Sequence, residues 1–326
     1  MRRLAAAIAA TALVSACTSD APPKAPPAAS SGPVAWTALA AAPSARTEVA
    51  AAVAKGRVHV VGGYTADGST VATVEVLDTA TGRWQRGPDL PIAVNHAMAA
   101  TVADTVYVFG GYLAGNAPSA AVFRLDAEGW RHVAAMPQPR AAGTAAAVDG
   151  AVYIAGGITS GGRLADTMLR YDSATDQWST DFGPPTPREH LGGAAFDGRV
   201  YTVGGRTGGL SGNLAAFEAF DTRTGTWTRL PDLPTRRGGL AAAATCAGLI
   251  IAVGGEAAAT FAEVEAYDVD AGAWRTLPPL PTPRHGLGVV AAGTVLYTLA
   301  GGPRPGLHVS DATEVLDTAA VRGCPR

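Results

Sequence analysis

The sequence predicts an all-β fold in which six blades of four antiparallel strands form a ring, a β-propeller, and three periodic marks carry that prediction. Tryptophan stands at positions 36, 84, 130, 178, 227 and 274, and these are all six tryptophans of the 326-residue chain. Glycine pairs keep the same beat at Gly62-Gly63, Gly110-Gly111, Gly156-Gly157, Gly204-Gly205, Gly254-Gly255 and Gly301-Gly302. An aspartate follows each pair, at Asp78, Asp126, Asp172, Asp221, Asp268 and Asp317. One set of marks in about every 50 residues is the signature of stacked, equivalent supersecondary units.

Within a unit the strands follow from residue type. A run of small residues makes the first strand, a. The run before each glycine pair is β-branched or aromatic, as in Val58-His59-Val60-Val61 and Val106-Tyr107-Val108-Phe109, and makes strand b. Turns such as Asp149-Gly150 and Asp197-Gly198 join a to b as a hairpin. Strand c ends at the aspartate, as in Val264-Glu265-Ala266-Tyr267-Asp268, and a turn such as Asp221 to Gly225 leads to the tryptophan strand, d. The paired glycines suit a strand end that meets neighbouring backbone with no room for a Cβ. Each tryptophan is expected to bury roughly 150 to 250 Å² between blades. The repeat array opens with a d strand at Trp36 and ends with a c strand at Asp317. Trp36 to Leu39 is therefore expected to complete the blade built from residues 285 to 317 and remove a free sheet edge.

These marks resemble the kelch repeat, in which paired glycines follow an apolar strand, then Tyr-Asp or its equivalent, then tryptophan about six residues later. The resemblance covers Trp36 to Asp317 and recurs six times. It implies a kelch-type propeller in residues 34–326, closed by the N-terminal strand.

The residues before it form an address. Met1-Arg2-Arg3 is basic, Leu4 to Val14 is apolar, and Val14-Ser15-Ala16 supplies small residues before Cys17. The apolar stretch falls well short of the roughly 20 residues needed to span a bilayer. The pattern resembles a bacterial lipoprotein signal peptide over 1–16, which implies a lipid on Cys17 and an extracytoplasmic chain anchored to the membrane of the cell envelope. Residues 17–33, with Pro22, Pro23, Pro26, Pro27 and Pro33 among alanine and serine, read as an extended tether.

Composition excludes several classes. At 48% hydrophobic and 16% charged residues the chain is neither a disordered polymer nor a coiled coil. A formal charge of −2 offers no field for a phosphate backbone, so no nucleic-acid partner is expected. HExxH, CxxC, P-loop and GxSxG constellations are missing, and no cofactor or metal is expected; a monomer is. Beyond Cys17, Cys246 and Cys324 form an even pair suited to an oxidising compartment. Cys246 lies in the a-b turn of blade five and Cys324 follows the c strand of blade six, on one face of neighbouring blades, so a disulfide between them is expected.

Function is expected on the opposite face, where the loops before strand a and after the glycine pair surround one mouth of the central channel. Ten residues after each tryptophan stand Arg46, Val94, Arg140, Arg188, Arg237 and Arg284. Three residues before each aspartate stand Glu75, Phe123, Leu169, Glu218, Glu265 and Glu314. Blade two lacks both partners, so the arginines read as structural ion pairs rather than an anion-binding ring. Arg140, whose blade offers Leu169, is the one expected to be free for a ligand. Two positions beyond the arginine register lie Glu48, His96, Ala142, His190, Gly239 and Gly286, with Glu189 and His285 one residue earlier in their blades. After the glycine pairs come Tyr64, Tyr112, Ile158, Arg206, Glu256 and Pro303. The candidate ligand-binding set is Glu48, His96, Arg140, Glu189, His190, Arg206, Glu256 and His285, and Tyr64 and Tyr112 offer faces for stacking on a sugar ring.

The expected function is that of a binding module for a glycan or protein partner. The alternative is a sugar isomerase: a resemblance to exported six-bladed kelch mutarotases of sialic acid implies it, with a carboxylate or histidine base beside an arginine anchor. Galactose oxidase also carries a kelch propeller. Copper radical chemistry there requires a Tyr-Cys cross-link and His and Tyr ligands, whereas Cys246 belongs to the other face and the mouth histidines have no adjacent tyrosine motif, so an oxidase is set aside.

Overall fold

The computed structural model describes residues 34–325. The expected signal peptide 1–16, the lipidated Cys17 and the tether 17–33 lie outside the described residues. The described chain builds six four-stranded antiparallel sheets, each ordered a-b-c-d from the axis outward, with a small two-stranded ribbon, Ile158–Thr159 against Arg163–Leu164, in the blade-three loop. Strand a runs over Ala50–Ala54, Met98–Val102, Thr144–Val148, Gly192–Phe196, Ala241–Ala244 and Gly288–Ala292 in blades one to six. Strand b, the apolar run, covers Arg57–Val61, Thr105–Phe109, Ala151–Ala155, Arg199–Val203, Leu249–Val253 and Val295–Leu299. In blade six the outer strand is Trp36–Ala38, which pairs antiparallel with Thr313–Asp317, Trp36 opposite Leu316 and Ala38 opposite Glu314. The N-terminal strand closes the ring.

Convergence on the axis explains the alanine content. The six a strands stand side by side around a channel of about 370 Å³ lined by residues such as Ala51, Ala99, Ala145, Gly193 and Ala243. Larger side chains have no room: a Cβ built on Gly288 would stand 2.8 Å from the Cβ of Ala51. In blades one to five the first glycine of the pair meets the next blade. At Gly204 φ is +59°, and a Cβ would sit 2.7 Å from the Arg237 carbonyl oxygen.

The tryptophans are mostly buried, and each packs against an apolar cluster shared by two neighbouring blades, as expected. Their cohesion is directional as well. Each indole Nε1 donates to a carbonyl oxygen of the preceding blade: Trp36 to Pro278, Trp84 to Ala40, Trp130 to Pro88, Trp178 to Ala134, Trp227 to Phe182 and Trp274 to Pro231, all at 2.8–2.9 Å. The b and c strands supply further apolar packing between blades, where Phe109, Ile154 and Leu169, for example, share one cluster with Trp178 packed against it. On the a-b turn face, Cys246 and Cys324 form a disulfide with a Cα–Cα separation of 5.2 Å. Arg322 beside it pairs with Asp268 of blade five at 2.5 Å, so the C-terminal tail is fastened to that blade.

Candidate functional site

The arginine register is structural. Arg46, Arg188, Arg237 and Arg284 are buried and pair within their blades with Glu75, Glu218, Glu265 and Glu314 at 2.9, 2.6, 2.5 and 3.1 Å. Each glutamate also accepts from a hydroxyl two residues before the arginine: Ser44, Thr186, Thr235 and Thr282, at 2.7–2.9 Å. This third member of the motif is visible in the sequence once known, since Gln138 and Ile92 replace it in the blades that lack the glutamate. Arg140 is not brought to the mouth. It is fully buried, donates to the Gly156 and Thr167 carbonyls at 3.1 Å and to Thr167 Oγ1 at 3.3 Å, and burial pushes its pKa down to about 10.

Two residues further, the chain turns into strand a through left-handed backbone at every blade. Glu48, His96, Ala142, His190, Gly239 and Gly286 have φ of +53°, +50°, +53°, +51°, +69° and +56°. Their main chains form a belt around the axis: His96 N donates to Glu48 O, Ala142 to His96, His190 to Ala142, Gly239 to His190 and Gly286 to Gly239, at 2.8–3.0 Å. Val49 N closes it on Gly286 O at 3.2 Å. The residue after the glycine pair bridges back to the residue before the belt, as in Glu189–Arg206 and Gly238–Glu256. In blade six that bridge is His285–Gly302, so Pro303 is displaced by one position from the expected register. The cause is Ala300, which takes the left-handed place of a first glycine at φ +55°.

Side chains above the belt close a polar ring. Glu48 lies 3.1 Å from His96 Nε2 and 3.2 Å from His285 Nδ1. His285 Nδ1 is 3.6 Å from Glu256, Glu256 receives Arg206 Nη1 at 2.8 Å, Arg206 Nε reaches Glu189 at 3.2 Å, and Glu189 holds His190 Nδ1 at 2.7 Å. His190 and His96 meet edge to face with centroids 4.8 Å apart. Seven of the eight expected ligand residues therefore share one site, contributed by blades one, two, four, five and six.

Hydrogen-bond partners fix the protonation of His285. Nε2 faces the Arg304 and Gly306 carbonyl oxygens at 3.1 and 3.0 Å, and Nδ1 faces two carboxylates, so both nitrogens donate and the ring is an imidazolium. Burial alone would lower its pKa, but the hydrogen bond and charge of Glu48 and the charge of Glu256 hold it above the ordinary histidine value. Burial raises Glu48, yet His96, the His285 hydrogen bond and His190 hold it well below the usual carboxylate range. His96 itself is pushed down to about 4 by burial, against the charge of Glu48.

An aromatic rim flanks the ring. Tyr64 and Tyr112 stand edge-on to His96 with centroids at 5.9 and 5.4 Å. With Asn116, Pro118 and Ile158 they wall a cavity of about 290 Å³. Burial, then the charge of Glu189, pushes the Tyr112 hydroxyl up to about 12, so it stays a donor at neutral pH. Arg206, Glu189 and Glu256 are bonded to one another, so neither of these carboxylates stands free as a base beside the guanidinium, and sugar isomerisation is not favoured. Asn95, which positions His96 from 2.6 Å, and the carbonyls that orient His285 carry no periodic mark and were not legible in the repeat.

Comparison with known families places the repeat. The model described as KLHDC2/KLHL20/DRC7 Kelch-repeats domain matches residues 48–182, and the Kelch motif model matches residues 187–234 and 237–281. Among curated proteins, Kelch-like protein 36 of Mus musculus and of Rattus norvegicus are each 40% identical over 60 residues, 18% of this chain. The matched stretch is 10% of either relative.

Proposed function

Since the chain belongs to the kelch-repeat family, we propose that it is a protein-binding module, exported and held at the cell envelope by a lipid on Cys17, whose partner docks over the Tyr64–Tyr112 rim. The observation that carries this reading is the division of labour at the mouth. The charged groups are spent on one another, while the rim leaves two tyrosines, Pro118 and Ile158 around an open cavity of about 290 Å³. A partner's apolar side chain fills such a cavity without breaking an ion pair, and tyrosine is among the residues that dominate protein interfaces. The loops above it, Thr159-Ser160-Gly161-Gly162 among them, are rich in glycine and adapt to a partner's outline.

The test is affinity capture from the envelope fraction with the full-length chain, followed by binding measurements on the purified partner. Tyr64→Ala with Tyr112→Ala should weaken binding by about 10-fold or more. Arg223→Ala, on the opposite face, should leave it unchanged. Loss of binding in the Arg223 variant alone, or a monosaccharide that competes at the rim with the same affinity as the partner, contradicts the reading.

A further inference from the structure

We propose that Glu48, His96 and His190 form a binding site for a divalent first-row transition-metal ion at the mouth of the channel. One ligand atom of each lies within 4.8 Å of the others, and Glu48 Oε2 is already 3.1 Å from His96 Nε2. Donors sharing one ion at bond lengths of about 2.0 to 2.2 Å stand on the order of 3.3 Å apart, so side-chain adjustments of about 1 Å close the set.

Both histidines are oriented as ligands. Asn95 Nδ2 donates to Thr70 Oγ1 at 2.8 Å, which turns Asn95 Oδ1 toward His96 Nδ1 at 2.6 Å. Glu189 Oε2 lies 2.7 Å from His190 Nδ1. These oxygens only accept, so each Nδ1 carries a proton and Nε2 is the nitrogen left to meet an ion. An Nδ1–H given to an outer oxygen is how metal-ligating histidines are held. Imidazole with one carboxylate suits zinc and its neighbours rather than calcium or magnesium. The ion needs no partner, so this site and the docking reading stand or fall separately.

The experiment is calorimetric titration of Zn²⁺ into the chelator-stripped full-length chain, with bound zinc counted after gel filtration and Co²⁺ as a spectroscopic probe. One zinc per chain is expected, with visible cobalt bands of low coordination number. His96→Asn and His190→Asn keep a residue that tolerates left-handed backbone, and each should weaken zinc roughly 100-fold or more, beyond the 10–100-fold expected of Glu189→Gln as a positioning residue. His132→Asn, in an outer strand, should bind as the wild type does. Should a variant fail to fold, X-ray absorption of the zinc-loaded wild-type chain decides, with two imidazoles at the metal supporting the site. Zinc that does not bind stoichiometrically, binds unchanged in both histidine variants, or shows fewer than two imidazoles overturns it.

Discussion

Arg188 and Glu218 meet at 2.6 Å inside blade four with 0% and 1% of their side chains exposed. The guanidinium also donates from Nε to the Gly204 carbonyl at 2.6 Å and from Nη2 to Thr202, tying strand b and its glycine pair to strand c. The same pair recurs in blades one, five and six. Removing one partner leaves a buried charge, so Glu218→Ala should cost about 3–5 kcal/mol. Arg188→Met with Glu218→Leu should recover most of that loss. Denaturant unfolding of the single and double variants measures both.

The indole bonds set a smaller scale. Trp130→Phe keeps the ring but removes the donor to Pro88, which lies 2.8 Å from Nε1. A loss of about 1 kcal/mol is expected, the net worth of one hydrogen bond, rather than the several that removing the whole ring would carry. Thermal unfolding of the variant checks it.

The Cys246–Cys324 bond closes a loop of 78 residues and fixes the tail to blade five. Cys324→Ser should lower stability by about 2–4 kcal/mol. A thiol assay on the denatured, unreduced wild-type chain should find neither sulfur of this pair free.

The belt contains a position that strain does not repay. Ala142 sits at φ +53° with no polar group to offer the mouth, where Gly239 and Gly286 do the same work without a Cβ. Ala142→Gly should therefore stabilise the fold by about 1 kcal/mol. A rise in melting temperature confirms it.

His59, in strand b of blade one, is 8% exposed and burial lowers its pKa. The unfolded chain then takes up a proton below pH about 6.5 that the folded chain refuses, so stability falls as pH drops through that value. His59→Val should flatten this acid slope and leave stability at pH 8 nearly unchanged. Melting temperatures between pH 4.5 and 8 measure the difference.

What was legible in the sequence was whatever repeats. Strands, glycine pairs, ring closure by Trp36 and the Arg–Glu pairs each recur with the blade, so one register exposes them all. Arg140 follows its register rather than standing free for a ligand, because burial is set by the blade, and Thr167 accepts from it in place of the missing acid. Pro303 was misplaced because Ala300 adopts a glycine's backbone angle, which residue identity does not announce. The polar ring joins Glu48 to His285 across 237 positions of sequence, and such contacts exist only once the ring has closed.

Hydrogen–deuterium exchange on the full-length chain, with and without its purified partner, addresses the mouth directly. Protection is predicted in the loops at 64–70, 112–118 and 158–164, which carry the tyrosine rim. Protection confined to the opposite turns, at 79–83, 173–176 and 222–225, would contradict the mouth as the site of recognition.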